Sequence, residues 1–215
     1  MTAPNAQNRQ KTKASPSKRA LIQDAARRLF MEQGYAATSM DAIAAGAGVS
    51  KATLYAHFKS KQALFESMIQ ERCRANMGEN VLPAQLGDDP LEGLTALGRQ
   101  FLGMLLTPDA LAAFRLVLAE TQRLPELGEA FYRSGPARTM ELVTTYIDHL
   151  NQAGRLKAAD PALAADLFLA QLKGKLYLKC LLGLQTEVSA QDIERHARVA
   201  ASAFVLSFAP PGLNK

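Results

Sequence analysis

The side chains best suited to chemistry in this 215-residue chain lie between Thr38 and Lys61. The run Ser50-Lys51-Ala52-Thr53-Leu54-Tyr55-Ala56-His57 joins hydroxyls, a lysine, a phenol and an imidazole with small residues. A lysine beside the amides of a helix N-terminus is suited to holding phosphate. Ala52 and Thr53 are short enough to let a helix approach base edges, and their methyls suit the methyl of thymine. Tyr55 and His57 can donate to phosphate, and Lys59 and Lys61 would complete a basic rim. Thr38 and Ser39 precede another candidate helix and could meet a nucleic-acid backbone from the other side. The expected DNA-contacting set is Thr38, Ser39, Ser50, Lys51, Ala52, Thr53, Tyr55, His57 and Lys61.

Other chemistries lack residues. The histidines are His57, His149 and His196 and the cysteines Cys73 and Cys180, all far apart in sequence. No metal cluster or catalytic triad is expected from so few ligands and bases. The chain has no phosphate-binding loop, no dinucleotide fingerprint, no HExxH and no nucleophile elbow. Gly93, Gly98 and Gly103 recur every five residues, but on a helix with no strand before it, so they cannot cradle phosphate. No cofactor, no metal and no enzymatic activity are expected. The cysteines read as free thiols in a reducing compartment.

The interface residues need helices to carry them. Leu21, Ile22, Ala25, Ala26, Leu29 and Phe30 form one apolar stripe, with Ser17 as its cap and Gly34 as its stop. Thr38 and Ser39 precede a short second helix, Met40 to Ala45, that Gly46 and Gly48 interrupt. Ser50 caps a third helix through Phe58, and Ser60 caps a fourth beginning at Lys61. Ile43, Ala44, Val49, Leu54 and Phe58 are positioned to face the first helix, and Gly48 suits a tight interhelical turn. This is the sequence form of a helix-turn-helix whose second helix presents its exposed face to a major groove.

Charge follows the same division. The net charge is +5, yet residues 1–75 hold 12 Lys/Arg against 5 Asp/Glu, leaving the rest slightly negative. A basic head on a near-neutral body points to a polyanionic partner for the head alone. Residues 1–16 read as a basic arm, 17–65 as the DNA-binding domain and 66–215 as a helical ligand-binding and dimerisation domain, with a loop around 82–90. No apolar run reaches the roughly 18 residues of a membrane span. The polar N-terminus lacks a secretory pattern, so no membrane partner and a cytoplasmic location are expected.

Beyond the loop the pattern is helical, with expected helices at 91–106, 109–122, 125–153, 160–182 and 190–207, and the fold class is all-α. Leu163, Leu167, Ala170, Gly174, Tyr177, Leu178 and Leu181 form one long face. Ile193, Ala197, Ala200, Ala201, Phe204 and Phe208 form another. Two such helices per protomer would build a four-helix dimer core. Phe101, Met104, Leu105, Phe114, Leu118, Gln122, Tyr146, His149 and Phe168 are the candidate lining of a cavity for an apolar or aromatic molecule. A helical module that keeps the head only as a scaffold would have no need of Lys51, Lys59 and Lys61. An all-α enzyme finds no supporting motif.

Residues 18–65 resemble the DNA-binding domain of the TetR family of bacterial transcriptional regulators. The resemblance rests on Ala25-Ala26-x-x-Leu29-Phe30, Gly34-Tyr35, Thr38-Ser39, Ile43-Ala44, Gly48-Val49-Ser50-Lys51-Ala52-Thr53-Leu54-Tyr55 and His57-Phe58-Lys59-Ser60-Lys61-x-x-Leu64-Phe65. Phe114 to Gly128, continuing to Phe131-Tyr132, resembles AcrR-like and AefR-like members. The resemblance implies an N-terminal three-helix helix-turn-helix domain and a homodimer through the two C-terminal helices. It also implies a small-molecule effector in the body that releases double-stranded DNA, most often to relieve repression. Gly46 departs from the family pattern. Within a helix it should cost roughly 1 kcal/mol relative to alanine.

Overall fold

The computed structural model describes residues 16–77 and 86–210. The expected N-terminal arm through residue 15 and the first part of the expected loop at 82–90 lie outside them. All regular structure among the described residues is helical. The head contains α1 (Lys18–Gln33), α2 (Met40–Gly46) and α3 (Lys51–His57), and α4 (Lys61–Met77) leads into the body. The body continues with α5 (Pro90–Leu105), α6 (Pro108–Glu120), α7 (Pro125–Ser134), α8 (Pro136–Gln152), α9 (Pro161–Leu181) and α10 (Ala190–Phe208).

The helices begin where local chemistry says they should. Ser17, Ser39 and Ser50 each accept the backbone N–H three residues ahead, satisfying one of the orphan donors of a helix start. Ser60 does the same for α4 through Ala63 N. In the body, Asp89, Thr107, Asp160 and Ser189 are the caps, and proline follows the first three at a position whose N–H needs no partner. Gly46 is the last residue of α2, not an interior one, so the expected helix penalty is reduced. A Cβ there would find only ordinary contacts with Ala25 and Leu29.

The expected single helix over 125–153 is two helices. Pro136 has no N–H to donate and disfavours a helical conformation at Gly135, whose φ is −132° and ψ −75°. The corner also lies close to α4: a Cβ on Gly135 would lie 3.2 Å from Ile69 Cγ2 and 3.4 Å from Cys73 Sγ.

Two hydrophobic clusters organise the chain. Ile22, Ala26, Phe30, Tyr35, Ile43, Ala44, Leu54, Phe58, Leu64 and Phe65 form the head core, which Val117 and Leu127 of the body complete. Phe30, Tyr35 and Phe65 make an aromatic trio with centroids 5.2 to 6.1 Å apart. The body core runs through Leu94, Leu97 and Leu102 of α5, Val143, Tyr146 and Ile147 of α8, Phe168 and Leu172 of α9, and Ala197, Ala201 and Phe204 of α10. The small-residue face of α10 therefore lies inside the protomer, against α5, which corrects its expected placement in a dimer core. Its outward residues include Val199 and Leu206, 65% and 64% exposed. On α9 Leu163, Leu167, Ala170 and Leu178 are exposed, while Tyr177 of the same expected face turns toward the cavity.

The seating of the Tyr146 side chain of α8 against α5 depends on Gly93. A Cβ there would collide with the Tyr146 hydroxyl, which donates to Gly87 O at 3.0 Å. We expect Gly93→Ala to cost about 1–3 kcal/mol through overpacking. A melting temperature equal to the native chain's would show that Tyr146 has room to move.

Candidate nucleic-acid interface and ligand cavity

The turn between α2 and α3 is built by backbone. Gly48 takes φ 63°, and Val49 N donates to Ala44 O at 3.0 Å, which closes the C-terminus of α2. Buried Leu54 and Phe58 pin α3 to the head core, and Arg19 stacks over the Phe58 ring at 4.5 Å. The remaining face of α3 points outward: Lys51, Ala52, Tyr55, Ala56 and His57 are exposed and Thr53 half-buried. Ser50 accepts from Thr53 N, and its hydroxyl also meets the Thr53 hydroxyl at 2.8 Å. Ser39, exposed, caps α2 beside this face. Lys51 Nζ bonds Asp41 Oδ2 at 2.6 Å, and that hydrogen bond and charge raise the pKa of its ammonium.

Two residues of the expected contact set are spent elsewhere. Thr38 is buried, and its hydroxyl donates to Gly34 O at 2.8 Å and reaches Leu29 O at 3.2 Å. It ties the α1–α2 loop together and offers nothing outward. Lys61 Nζ donates to Tyr35 O at 2.7 Å, Ala36 O at 3.2 Å and Thr38 O at 2.8 Å, and sits 4.5 Å from the Tyr35 ring centre. Desolvation by burial pulls its pKa down. Its ammonium is a clamp on the loop, which corrects the expectation of a phosphate contact.

The body holds a cavity of about 280 Å³ that is partly open to solvent. Phe101, Met104, Leu105 and Phe114 line it as expected, together with Phe131, Tyr132, Met140 and Tyr177. Polar groups enter from Arg72, Thr139, Asp166 and Lys173. Tyr177 lies edge-on to Phe114 with centroids 6.0 Å apart, and burial pushes its pKa up to about 12, so the hydroxyl is neutral at ordinary pH. Cys73 also lines the cavity, its thiol pKa raised by desolvation.

The other expected lining residues lie elsewhere. Leu118 is 56% exposed on the outer side of α6, and Gln122 is exposed in the turn that follows that helix. Phe168 is fully buried against Phe204 in the core. Tyr146 is bonded to the loop before α5, and His149 Nε2 pairs with Asp88 Oδ1 at 2.9 Å. By sequence Tyr177 groups with Leu163, Leu167 and Leu178 on one long apolar face, whereas its ring lines the cavity. Asp166, Leu169, Lys173 and Tyr177 follow a separate helical stripe, offset by about a quarter turn from Leu163, Leu167 and Leu178. That second stripe was the signal available.

A head shaped to lie against duplex DNA, joined to a body able to hold a small molecule, defines a ligand-responsive transcriptional regulator. Residues 22–68 match the bacterial regulatory proteins of the tetR family, and residues 92–210 match the AefR-like transcriptional repressor C-terminal domain. The HTH-type transcriptional regulator UidR of Escherichia coli K12 is 29% identical over 192 residues, covering 88% of this chain and 90% of its own. Among solved structures, the flavonoid-responsive regulator FrrA superposes with a TM-score of 0.76 at 37% identity, covering 91% of this chain and 98% of its own. A TetR family transcriptional regulator from Pseudomonas syringae pv. tomato DC3000 gives 0.69 at 30% identity, covering 92% of this chain and 100% of its own. The chain belongs to the TetR family and carries an AefR-like C-terminal domain.

The Lys61 clamp makes a prediction. Lys61→Met should lower stability by about 2 kcal/mol, from the loss of charged hydrogen bonds to carbonyls. The salt dependence of DNA binding should keep its slope. An unchanged melting temperature with a shallower slope would return Lys61 to the interface.

Proposed function

We propose that this chain is a homodimeric repressor of the bacterial cytoplasm. Two copies of α3 would enter successive major grooves of a pseudo-palindromic operator. The observation that carries this reading is the outward face of α3, small and polar, on a helix held rigidly by Leu54 and Phe58. In this reading Lys51, Tyr55 and His57 take phosphate, while Ala52 and Thr53 approach base edges. Ser39 and Ser50, the caps of α2 and α3, would turn their hydroxyls to the DNA backbone. Residues 17–65 are the reading head and 66–215 the sensing and dimerising body.

The partner for the body is a second copy of the chain. Leu163, Leu167 and Leu178 on α9 are 58%, 46% and 53% exposed, and Val199 and Leu206 on α10 are the matching apolar groups. Burying both faces in a four-helix contact would remove that surface from water. The effector is a small apolar or aromatic molecule held among Phe101, Phe114, Phe131 and Tyr177. A cavity near 280 Å³ lies at the small end for drug-sized ligands and suits two or three rings. The flavonoid response in the name of FrrA supports an aromatic ligand. The effector would release DNA by binding more tightly to a body conformation whose heads are spaced wrongly for the operator.

Selection of bound sequences from random duplex DNA tests the reading. An inverted repeat is expected, and no enrichment over input would remove the function. Lys51→Ala should reduce the slope of log affinity against log salt by about 2 per dimer, one contact from each protomer. Unchanged slopes would take Lys51 out of the interface. Thr53→Ala and Tyr55→Phe should weaken operator binding at unchanged melting temperature. For the body, calorimetry with naringenin is expected to show binding that Phe114→Ala and Tyr177→Ala weaken about tenfold or more and Leu118→Ala leaves alone. Equal losses in all three variants would argue against this cavity as the site.

A further inference from the structure

Helix α9 has two tasks that meet at one residue. Asp166, Leu169, Lys173 and Tyr177 line the cavity, while Leu163, Leu167, Ala170 and Leu178 face outward. Between these groups the helix is broken at Gly174, whose φ of 38° and ψ of −151° are open to glycine and strained for any L side chain. Space does not require glycine there: a Cβ would meet only His196 Nε2, at 4.0 Å. The requirement is conformational.

The two halves of α9 are anchored to different partners. Before the break, Leu172 O accepts a hydrogen bond from His196 Nε2 of α10 at 3.0 Å. Leu172 itself is fully buried, and a Cβ on Gly98 would press on both Leu172 and Ala197, so this half is locked to α5 and α10. After the break, Tyr177 packs edge-on against Phe114. Arg115 donates through Nε to Leu181 O at 2.7 Å and through Nη2 to Cys180 O at 2.8 Å, fixing the last turn to α6. Helix α6 touches the head directly. Val117 belongs to the head core, and Glu120 Oε1 accepts from Ala36 N at 3.4 Å.

We propose that Gly174 is a hinge at which cavity occupancy changes the angle between the two halves of α9, with His196 latching the leading half. This rests on the reading of the cavity as an effector site. A ligand lodged between Leu169 and Lys173 on one side and Phe114 and Tyr177 on the other acts across the break. Rotation of the trailing half carries α6, and with it Val117 and Glu120 at the head. It also changes the angle between Leu167 and Leu178 on the outward face. Both the dimer geometry and the seating of the heads thus depend on one backbone angle.

The test uses the full-length protein, operator DNA from the selection above and 1-anilinonaphthalene-8-sulfonate as the cavity probe. Gly174→Ala disfavours the bent state without a steric clash. Affinities for operator and probe should therefore move in opposite directions, each by about fivefold or more, as linkage between two states requires. His196→Ala should give the same reciprocal signature, and His196→Asn, which keeps a donor, should restore part of the native behaviour. Gly154→Ala is the control. Its φ is 69° with nothing within 4 Å of a Cβ, so it is a second positive-φ glycine free of steric conflict, placed in the α8–α9 loop away from the break. It should lower the melting temperature and leave both affinities alone. The hinge is overturned if Gly174→Ala and His196→Ala leave both affinities unchanged, alter the probe alone, or weaken both together. A native chain that binds no operator overturns the regulator reading itself, whereas native binding and probe-induced release with unresponsive variants overturn only the hinge.

Discussion

The structure depends on α4 belonging to two cores at once. Leu64 and Phe65, in its first turns, are buried with Phe30 and Tyr35 in the head. Ile69 and Cys73, one and two turns on, line the body cavity and lie beside the Gly135 corner. A regular helix transmits a displacement at one end as rotation at the other, since its hydrogen-bonded turns leave little to absorb it. The Lys61 clamp removes the remaining slack by fixing the first turn of α4 to the loop between α1 and α2. The helix runs without interruption through residue 65, the expected end of the DNA-binding domain. Head and body therefore share an element.

The head was legible because its determinants are local. A serine three residues before the N–H it accepts, a glycine at positive φ and an apolar stripe at helical spacing all act within a few residues. Thr38 and Lys61 were misread for the opposite reason. A lysine among other lysines looks like surface charge, and only the folded loop brings the carbonyls of Tyr35, Ala36 and Thr38 onto its ammonium from more than twenty residues upstream. In the body the periodicity marked helices but could not say which of two apolar arcs faces inward. Gly98 decides that for α10, since its missing side chain admits Leu172 and Ala197. The break at Gly135–Pro136 was written in the sequence, but the apolar pattern ran across it because α7 and α8 both pack onto the body and its junction with the head.

The basic excess of the first third divides in a similar way. Arg27 bridges Asp24 and reaches Asp109 of α6 at 3.6 Å, and Arg72 bonds Asp109 and Thr107. Arg28 reaches Gly46 O at the end of α2. Exposed pairs of this kind are worth about 0–1 kcal/mol each, so they set the register of head against body more than they stabilise it. Arg133 adds a further link by pairing with Glu66 at 2.7 Å, joining α7 to α4. Arg27, Arg72 and Arg133 belong to the joint where α4 meets the parts, whereas Arg28 braces α1 against α2 within the head.

The Lys51–Asp41 pair stands apart from that joint. Both side chains are exposed, 67% and 58%, and they join the first turns of α2 and α3. Exposure makes the pair weak in water, so replacing the carboxylate by a DNA phosphate would cost little. The carboxylate left behind would then lie close to a polyanion, where like-charge repulsion disfavours any complex that does not compensate it. In the proposed reading, α3 keeps its lysine oriented while it is off DNA. Asp41 adds a small uniform penalty on DNA that base contacts from Ala52 and Thr53 must overcome. Because that penalty is common to every complex, it lowers affinity for all sequences alike, and discrimination between sites rests on the base contacts themselves.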